Sequence, residues 1–130
     1  MATVEPATTV TELLAALAEH NIGAMVVLAP DGSVAGIVSE RDVVRRLNDQ
    51  GAAILGRPVS DIMTASVFTC DPEDSVDSLT VLMTEHRIRH VPVVTDGRLT
   101  GIVSIGDVVK NRLDEVEYEA RSLRSFIAGA

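Results

Sequence analysis

The chain has 130 residues, 46% of them apolar, and carries 11 Lys and Arg against 19 Asp and Glu, for a formal net charge of −8. That length and apolar share can build one compact core. The negative balance argues against a general nucleic-acid or anionic-membrane surface, since both depend on clustered positive charge. No apolar run approaches the ~20 residues of a bilayer span, and no basic start followed by an apolar stretch marks an export signal, so a cytoplasmic protein is expected. Cys70 is the single cysteine, which excludes an intramolecular disulfide and a thiolate-cluster metal site and leaves a reduced, strand-buried thiol as the expected state. Aromatic residues are confined to Phe68, Tyr118 and Phe126, so the core has to be aliphatic.

In chain order, Thr9-x-x-Glu12 forms a capping box ahead of Leu13, Leu14 and Leu17, whose spacing predicts a helix ending near His20. Ala24 to Leu28 reads as a buried strand and Val34 to Val38 as its return. Asp31-Gly32 between them is a hairpin signal. A second helix starts at Ser39. Asp49 to Pro58, with two glycines and a proline, reads as a linker. Asp74 or Ser75 opens a third helix, with Val76, Leu79, Leu82 and Met83 facing inward. Val91 to Val94 and Leu99 to Val103 are predicted strands around Asp96-Gly97, and Ser104 opens a last helix. Leu113, Val116, Ala120, Leu123 and Ile127 lie on one face of its continuation, which also carries a Glu117 to Arg121 pair in the favourable order.

These elements repeat. Residues 3–27 align with 69–93, and residues 31–44 with 96–109 after a one-residue slip in the turn; 17 of the 39 aligned positions are identical. Chance supplies only a few, so duplication is the economical explanation. Each copy reads as strand, helix, strand, strand, helix. Both copies end their third strand with Gly-Ile-Val-Ser and open the next helix with Asp-Val-Val three residues on, at Gly36–Val44 and Gly101–Val109.

That duplicated motif, together with Asp61-Ile62-Met63-Thr64 and Arg89-His90-Val91-Pro92-Val93-Val94, resembles the cystathionine β-synthase (CBS) domain pair over about residues 2–113. The resemblance implies an α+β fold of two β-α-β-β-α repeats related by a pseudo-two-fold axis, plus a C-terminal helix. The expected divisions are repeat one at 1–50, a linker at 51–58, repeat two at 59–113 and a helical extension at 114–130. Repeat one has only a short leading segment.

Taken alone, Ser39-x-x-Asp42 is a helix cap: the Ser oxygen and the acid satisfy free backbone N–H groups and complement the helix dipole. In the family it resembles, the same pair holds a ribose, with the carboxylate accepting from the ring hydroxyls. The two roles are compatible. The resemblance thus implies ribose clamps at Ser39 with Asp42 and at Ser104 with Asp107. It places Met63, Thr64, Ser66 and Val67 along the Asp42 pocket. Arg89 and His90 are the implied phosphate partners, Pro92 two residues on is implied as a further nucleotide contact, and Arg41 offers a second positive group. Gly23 and Ala24 stand where the second copy has Arg89 and His90, and Gly106 stands where the first has Arg41. The two pockets are therefore expected to differ.

No metal-ligand spacing, glycine-rich phosphate loop or Ser-His-carboxylate set is evident, so no catalytic residue, metal or obligatory cofactor is expected. The expected function is non-enzymatic: a regulatory module whose cleft between the repeats takes an adenine-containing ligand, AMP or ATP ahead of ADP, NAD or S-adenosylmethionine. It would act as a homodimer on a separate protein partner. A ligand-free scaffold module is the rival reading, and a nucleotide hydrolase a weaker one.

Overall fold

The computed structural model describes residues 2–129, with side chains as far as Glu117. Nine regular elements run β1 (Thr3–Val4), α1 (Val10–His20), β2 (Ala24–Leu28), β3 (Val34–Ser39), α2 (Glu40–Gln50), α3 (Val76–His86), β4 (His90–Thr95), β5 (Arg98–Ser104) and α4 (Ile105–Gly129), with two 3-10 helices at Gly51–Gly56 and Val59–Asp61. The order is that expected of two α+β repeats. Beyond Glu117, the expected apolar face at Ala120, Leu123 and Ile127 and the Glu117–Arg121 pair lie outside the described residues.

The chain forms two compact units. One comprises the residues up to Pro72 together with Pro92–Ile102, the other Glu73–Val91 with the chain from Val103 onward. In the first unit, β1 pairs in parallel with β2, and β2 pairs antiparallel with β3. β2 is buried on both faces, as its unbroken apolar run requires. Met25 and Val27 join the cluster made by Val10, Leu13 and Leu17 of α1, Val38 of β3 and Val43 of α2. Ala24 and Val26 are buried on the opposite face. Thr9 caps α1 in a full capping box with Glu12, and Asn21 ends it in the left-handed conformation.

The second copy repeats the local rules. Ser75 caps α3 by accepting the Ser78 N–H, and Arg87 closes that helix at φ 53°. Leu79, Met83, Val91 and Val108 are its buried apolar residues in the second unit. Cys70 is buried and bridges in parallel to Val93 in the first unit, as Val4 pairs with Val27.

The one-residue slip between the copies has a structural cause. Asp96 and Gly97 both have positive φ, 52° and 78°, which is the tight two-residue hairpin turn. The first copy instead makes a wider loop. Ala29 N–H donates to the Ser33 carbonyl, Asp31 Oδ1 accepts from the Ser33 N–H and hydroxyl, and the β2–β3 register shifts at Val27/Leu28.

Where the sequence reads as a linker, the chain is wound and packed. Ile54 has no exposed surface and belongs to the first unit's core, as does Val59 just beyond the linker, and Thr11 donates its hydroxyl to the Leu55 carbonyl at 2.8 Å. Short 3-10 turns have no 3.6-residue period to betray them, so glycine and proline dominate the sequence signal. A core role predicts that Ile54→Ala costs about 2–5 kcal/mol, whereas the exposed neighbour Ala52→Ser costs almost nothing. Urea unfolding checks this, and equal midpoints for the two variants would make 51–58 a mere tether.

Candidate functional site

β3 delivers Ser39 in extended geometry, φ −127° and ψ 166°, directly into α2. The Ser39 hydroxyl oxygen accepts the Asp42 N–H at 3.3 Å, while Asp42 Oδ2 accepts the Ser39 N–H at 2.8 Å and its hydroxyl at 3.0 Å. The second copy reproduces this. Asp107 Oδ2 takes the Ser104 N–H at 2.9 Å and its hydroxyl at 3.0 Å, and the Asp107 N–H reaches Ser104 Oγ at 3.2 Å.

Of the two carboxylate oxygens in each clamp, only Oδ2 takes part in the cap. Oδ1 of Asp42 and of Asp107 accepts no hydrogen bond among the described residues. Each clamp therefore fixes a carboxylate at a helix N-terminus with an acceptor left over. Hydrogen bonds donated by Ser104, from its backbone N–H first and its hydroxyl second, hold the Asp107 carboxyl below the usual Asp range, so it is ionised at neutral pH. A further main-chain bond ties each clamp to the residue just before the first strand of its hairpin, β2 or β4. Glu40 N–H donates to the Gly23 carbonyl at 3.0 Å, and Ile105 N–H to the Arg89 carbonyl at 2.8 Å.

The surroundings of the two clamps differ. In the first unit, Asp42 is half-buried, and the segment carrying Met63 and Thr64 lies against β3. Ile37 N–H donates to the Thr64 carbonyl at 3.0 Å and Thr64 N–H returns to the Ile37 carbonyl at 2.9 Å. Gly36 makes this approach possible: a Cβ there would stand 2.7 Å from both Met63 Sδ and the Thr64 carbonyl oxygen. Met63 and Thr64 are thus brought to the strand that ends in Ser39. Ser66, exposed, and Val67, half-buried, lie beyond that pairing. Arg41 is exposed on the first turn of α2.

In the second unit, Asp107 is exposed and its neighbour in charge is His90, half-buried at the start of β4. Burial first, and the charge of Arg89 second, push the His90 imidazole below its ordinary value, while Asp107 pulls the other way. His90 is therefore neutral at pH 7, with a cation and an anion beside it. Pro92 has a fully buried side chain in the first unit and its carbonyl accepts the Cys70 N–H at 2.9 Å. It positions a strand and offers a ligand no side-chain surface.

Two hollows open in the first unit. One of about 290 Å³ is lined by Ala2, His20, Ala24, Val26 and Ile102 among others, and one of about 500 Å³ lies between α1 and α2 against Leu14, Ile22, Val44 and Leu47. Neither is lined by Asp42 or Asp107. Among the described residues no group of His, Cys, Asp and Glu could hold a metal ion, and no helix is long and apolar enough to cross a membrane. The role of Gly36 was missed at the sequence level. Its signal was present in the motif, but identical glycines at 36 and 101 concealed that only one is crowded.

A duplicated α+β unit with a strand-borne Ser-Asp clamp in each copy defines a paired-repeat module. The chain belongs to the CBS domain family, whose model matches residues 1–49 and 59–114. It is 40% identical over 125 residues to the CBS domain-containing protein CBSX3, mitochondrial, of Arabidopsis thaliana, covering 93% of this chain and 61% of that protein, so it spans less than two thirds of that relative's length. Among solved structures it is similar to the CBS-domain containing protein ATU1752 from Agrobacterium tumefaciens, at 48% identity and a TM-score of 0.83 over 86% of this chain and 89% of that one. CBSX2, solved in complex with AMP, matches at 29% identity and a TM-score of 0.74 over 88% of each chain.

The crowding at Gly36 yields a paired prediction. Gly36→Ala forces the Met63–Thr64 segment away from β3 at a cost of about 1–3 kcal/mol, and thermal unfolding should drop by several degrees. Gly101→Ala meets only Val93 carbons at 3.8 Å and should leave the melting temperature unchanged or slightly raised. Equal losses at the two sites would contradict the asymmetry.

Proposed function

We propose that the chain is a regulatory module that binds an adenine-containing ligand through its Ser-Asp clamps, with no chemistry of its own. The observation that carries this reading is the oxygen left over: each clamp spends Oδ2 on the helix cap and presents Oδ1, a charged acceptor suited to the hydroxyls of a ribose. The AMP complex of CBSX2, a 29% identical relative, supports the ligand class. The clamp serines serve as caps here, each hydroxyl oxygen accepting the N–H of its clamp Asp, a structural role that suits a binding module.

Within this reading, Met63 and Thr64, with Ser66 and Val67 following, form an aliphatic and backbone-lined wall for a base beside Asp42. Arg89 and His90 supply charge for a phosphate beside Asp107, with Arg41 as the cation near Asp42. AMP or ATP suits this set ahead of NAD. Ligand affects the protein only through its differential affinity for alternative arrangements of the chain. The module then acts as a cytoplasmic homodimer on a separate protein.

Calorimetric titration with AMP, ADP, ATP, NAD and S-adenosylmethionine tests the proposal. At 100 times its dissociation constant a true ligand adds roughly 2.7 kcal/mol, a rise in melting temperature on the order of 10 °C for a chain of this size. Asp42→Ala should weaken binding about 10- to 100-fold, the range of a hydrogen bond to a charged group, and more than Asp107→Ala does. A phosphate beside His90 favours the imidazolium, so binding takes up a proton and tightens as pH falls from 8 to 6.5. His90→Gln should flatten that dependence. No heat and no thermal shift with any of the five at millimolar concentration would end the sensor reading and favour a scaffold.

A further inference from the structure

Three methionines, Met25, Met63 and Met83, fall among the described residues, and they differ in access. Met25 and Met83 are 1% and 2% exposed, sealed inside the protein. Met63 is half-buried, packed on the rim of the first unit's core and within reach of solvent. Its side chain also makes a close approach to β3. Sδ lies against the backbone of Gly36, where a Cβ would stand 2.7 Å from the sulfur and 3.1 Å from Cγ. Main-chain bonds hold the segment there: Met63 N–H donates to the Val59 carbonyl at 2.9 Å, and Thr64 and Ile37 each donate to the other's carbonyl. The second copy has no such contact, since a Cβ on Gly101 would meet only Val93 carbons.

A thioether suits this place because it is slim, flexible and apolar. A sulfoxide does not. Oxidation makes the side chain polar and adds to the sulfur an oxygen that needs a hydrogen-bond donor. The N–H groups of Ile37 and Thr64, next in sequence to Gly36 and Met63, are already bonded to each other's carbonyls, and the β3 side is filled by Gly36 itself. The oxidised side chain reaches water by leaving β3, and Thr64 leaves with it.

We propose that Met63 is a reversible oxidation site that switches the Asp42 clamp: a peroxide converts it to the sulfoxide, the Met63–Thr64 segment lifts from β3, and the wall beside Asp42 is lost. The sulfur lone pair attacks one oxygen of hydrogen peroxide. An S–O bond forms as the O–O bond breaks, and the departing hydroxide takes the proton from the transferred oxygen and becomes water. Sulfur is oxidised by two electrons and the peroxide is reduced by two. A dithiol acting through a methionine sulfoxide reductase reverses the change, with the oxygen leaving as water and the dithiol becoming a disulfide. The effect on ligand rests on the reading of Met63 and Thr64 as a wall for the base; the opening of the segment does not.

Peroxide treatment of the full chain, followed by mass spectrometry, amide exchange and AMP titration, tests the proposal. Met63 should gain one oxygen before Met25 or Met83 does. In the oxidised protein the Ile37 and Thr64 amides should exchange roughly 10-fold faster, the melting temperature should fall by several degrees, and the AMP dissociation constant should rise about 10-fold. A methionine sulfoxide reductase with dithiothreitol should restore all three. Met63→Leu, close in volume, keeps Cys70, Met25 and Met83 and should be unmoved by the same treatment. Met63→Gln should behave like the oxidised protein with no peroxide added. Oxidised Met63 with unchanged amide exchange would overturn the switch, and so would an equal response from Met63→Leu. Faster exchange with AMP affinity intact would overturn its link to the clamp. Untreated protein that binds no AMP would end the nucleotide reading and the effect on affinity together, and amide exchange would still decide whether the segment opens.

Discussion

A strand that runs straight into a helix must satisfy the first N–H groups within a single turn, and in this protein a reciprocal Ser-Asp pair does so twice, the Ser oxygen taking the Asp N–H and one carboxylate oxygen taking the Ser N–H. Asp42 Oδ2 and Asp107 Oδ2 each accept a serine N–H and hydroxyl at 2.8–3.0 Å. The bond locks the side-chain rotamer and with it the direction of the second oxygen. Everything proposed about ligand binding depends on that division of labour. A cap that used both oxygens would leave nothing to bind with, and an uncapped acid would have no fixed aim. Structural and functional roles therefore fall on the same residue without competing.

Duplication supplied two clamps, and their surroundings then diverged. Beside Asp42 there is a backbone wall, admitted by the absence of a side chain at Gly36. Beside Asp107 there is charge, with a half-buried imidazole that feels both Arg89 and the clamp acid, and Lys110 acting on that acid as well. Neither copy holds both. Ala24 and Gly23 occupy the places of His90 and Arg89 in the first copy, and Gly101 faces only Val93 in the second. Wall and charge are complementary parts of what a nucleotide requires, which is why the two sites are expected to respond unequally to the same substitution.

Much of this was legible in the sequence because the signals are local. Thr9-x-x-Glu12, Ser39-x-x-Asp42 and Ser104-x-x-Asp107 each specify a cap that needs no tertiary information, and α1, α2 and α4 start where those residues put them. β2 was readable as a buried strand from its unbroken apolar run. The parts that escaped depend on distant neighbours. Ile54 sits among glycines and a proline that look like a tether, yet it completes a core whose other members are as far away as Val4. Pro92 resembles a pocket residue by motif, and the strand bridge to Cys70 buries it. Gly36 and Gly101 are identical in sequence, and only the course of Met63 and Thr64 separates them.

The central claim is that the uncommitted oxygen of the clamp is the ribose acceptor. A crystal structure of the protein with AMP measures this directly. The account predicts a ribose hydroxyl within hydrogen-bond distance of Oδ1 of Asp42 or Asp107, with the Ser-to-Oδ2 bonds of the same clamp intact. A nucleotide bound with both Oδ1 atoms unengaged, or bound only after the cap has opened, would contradict it.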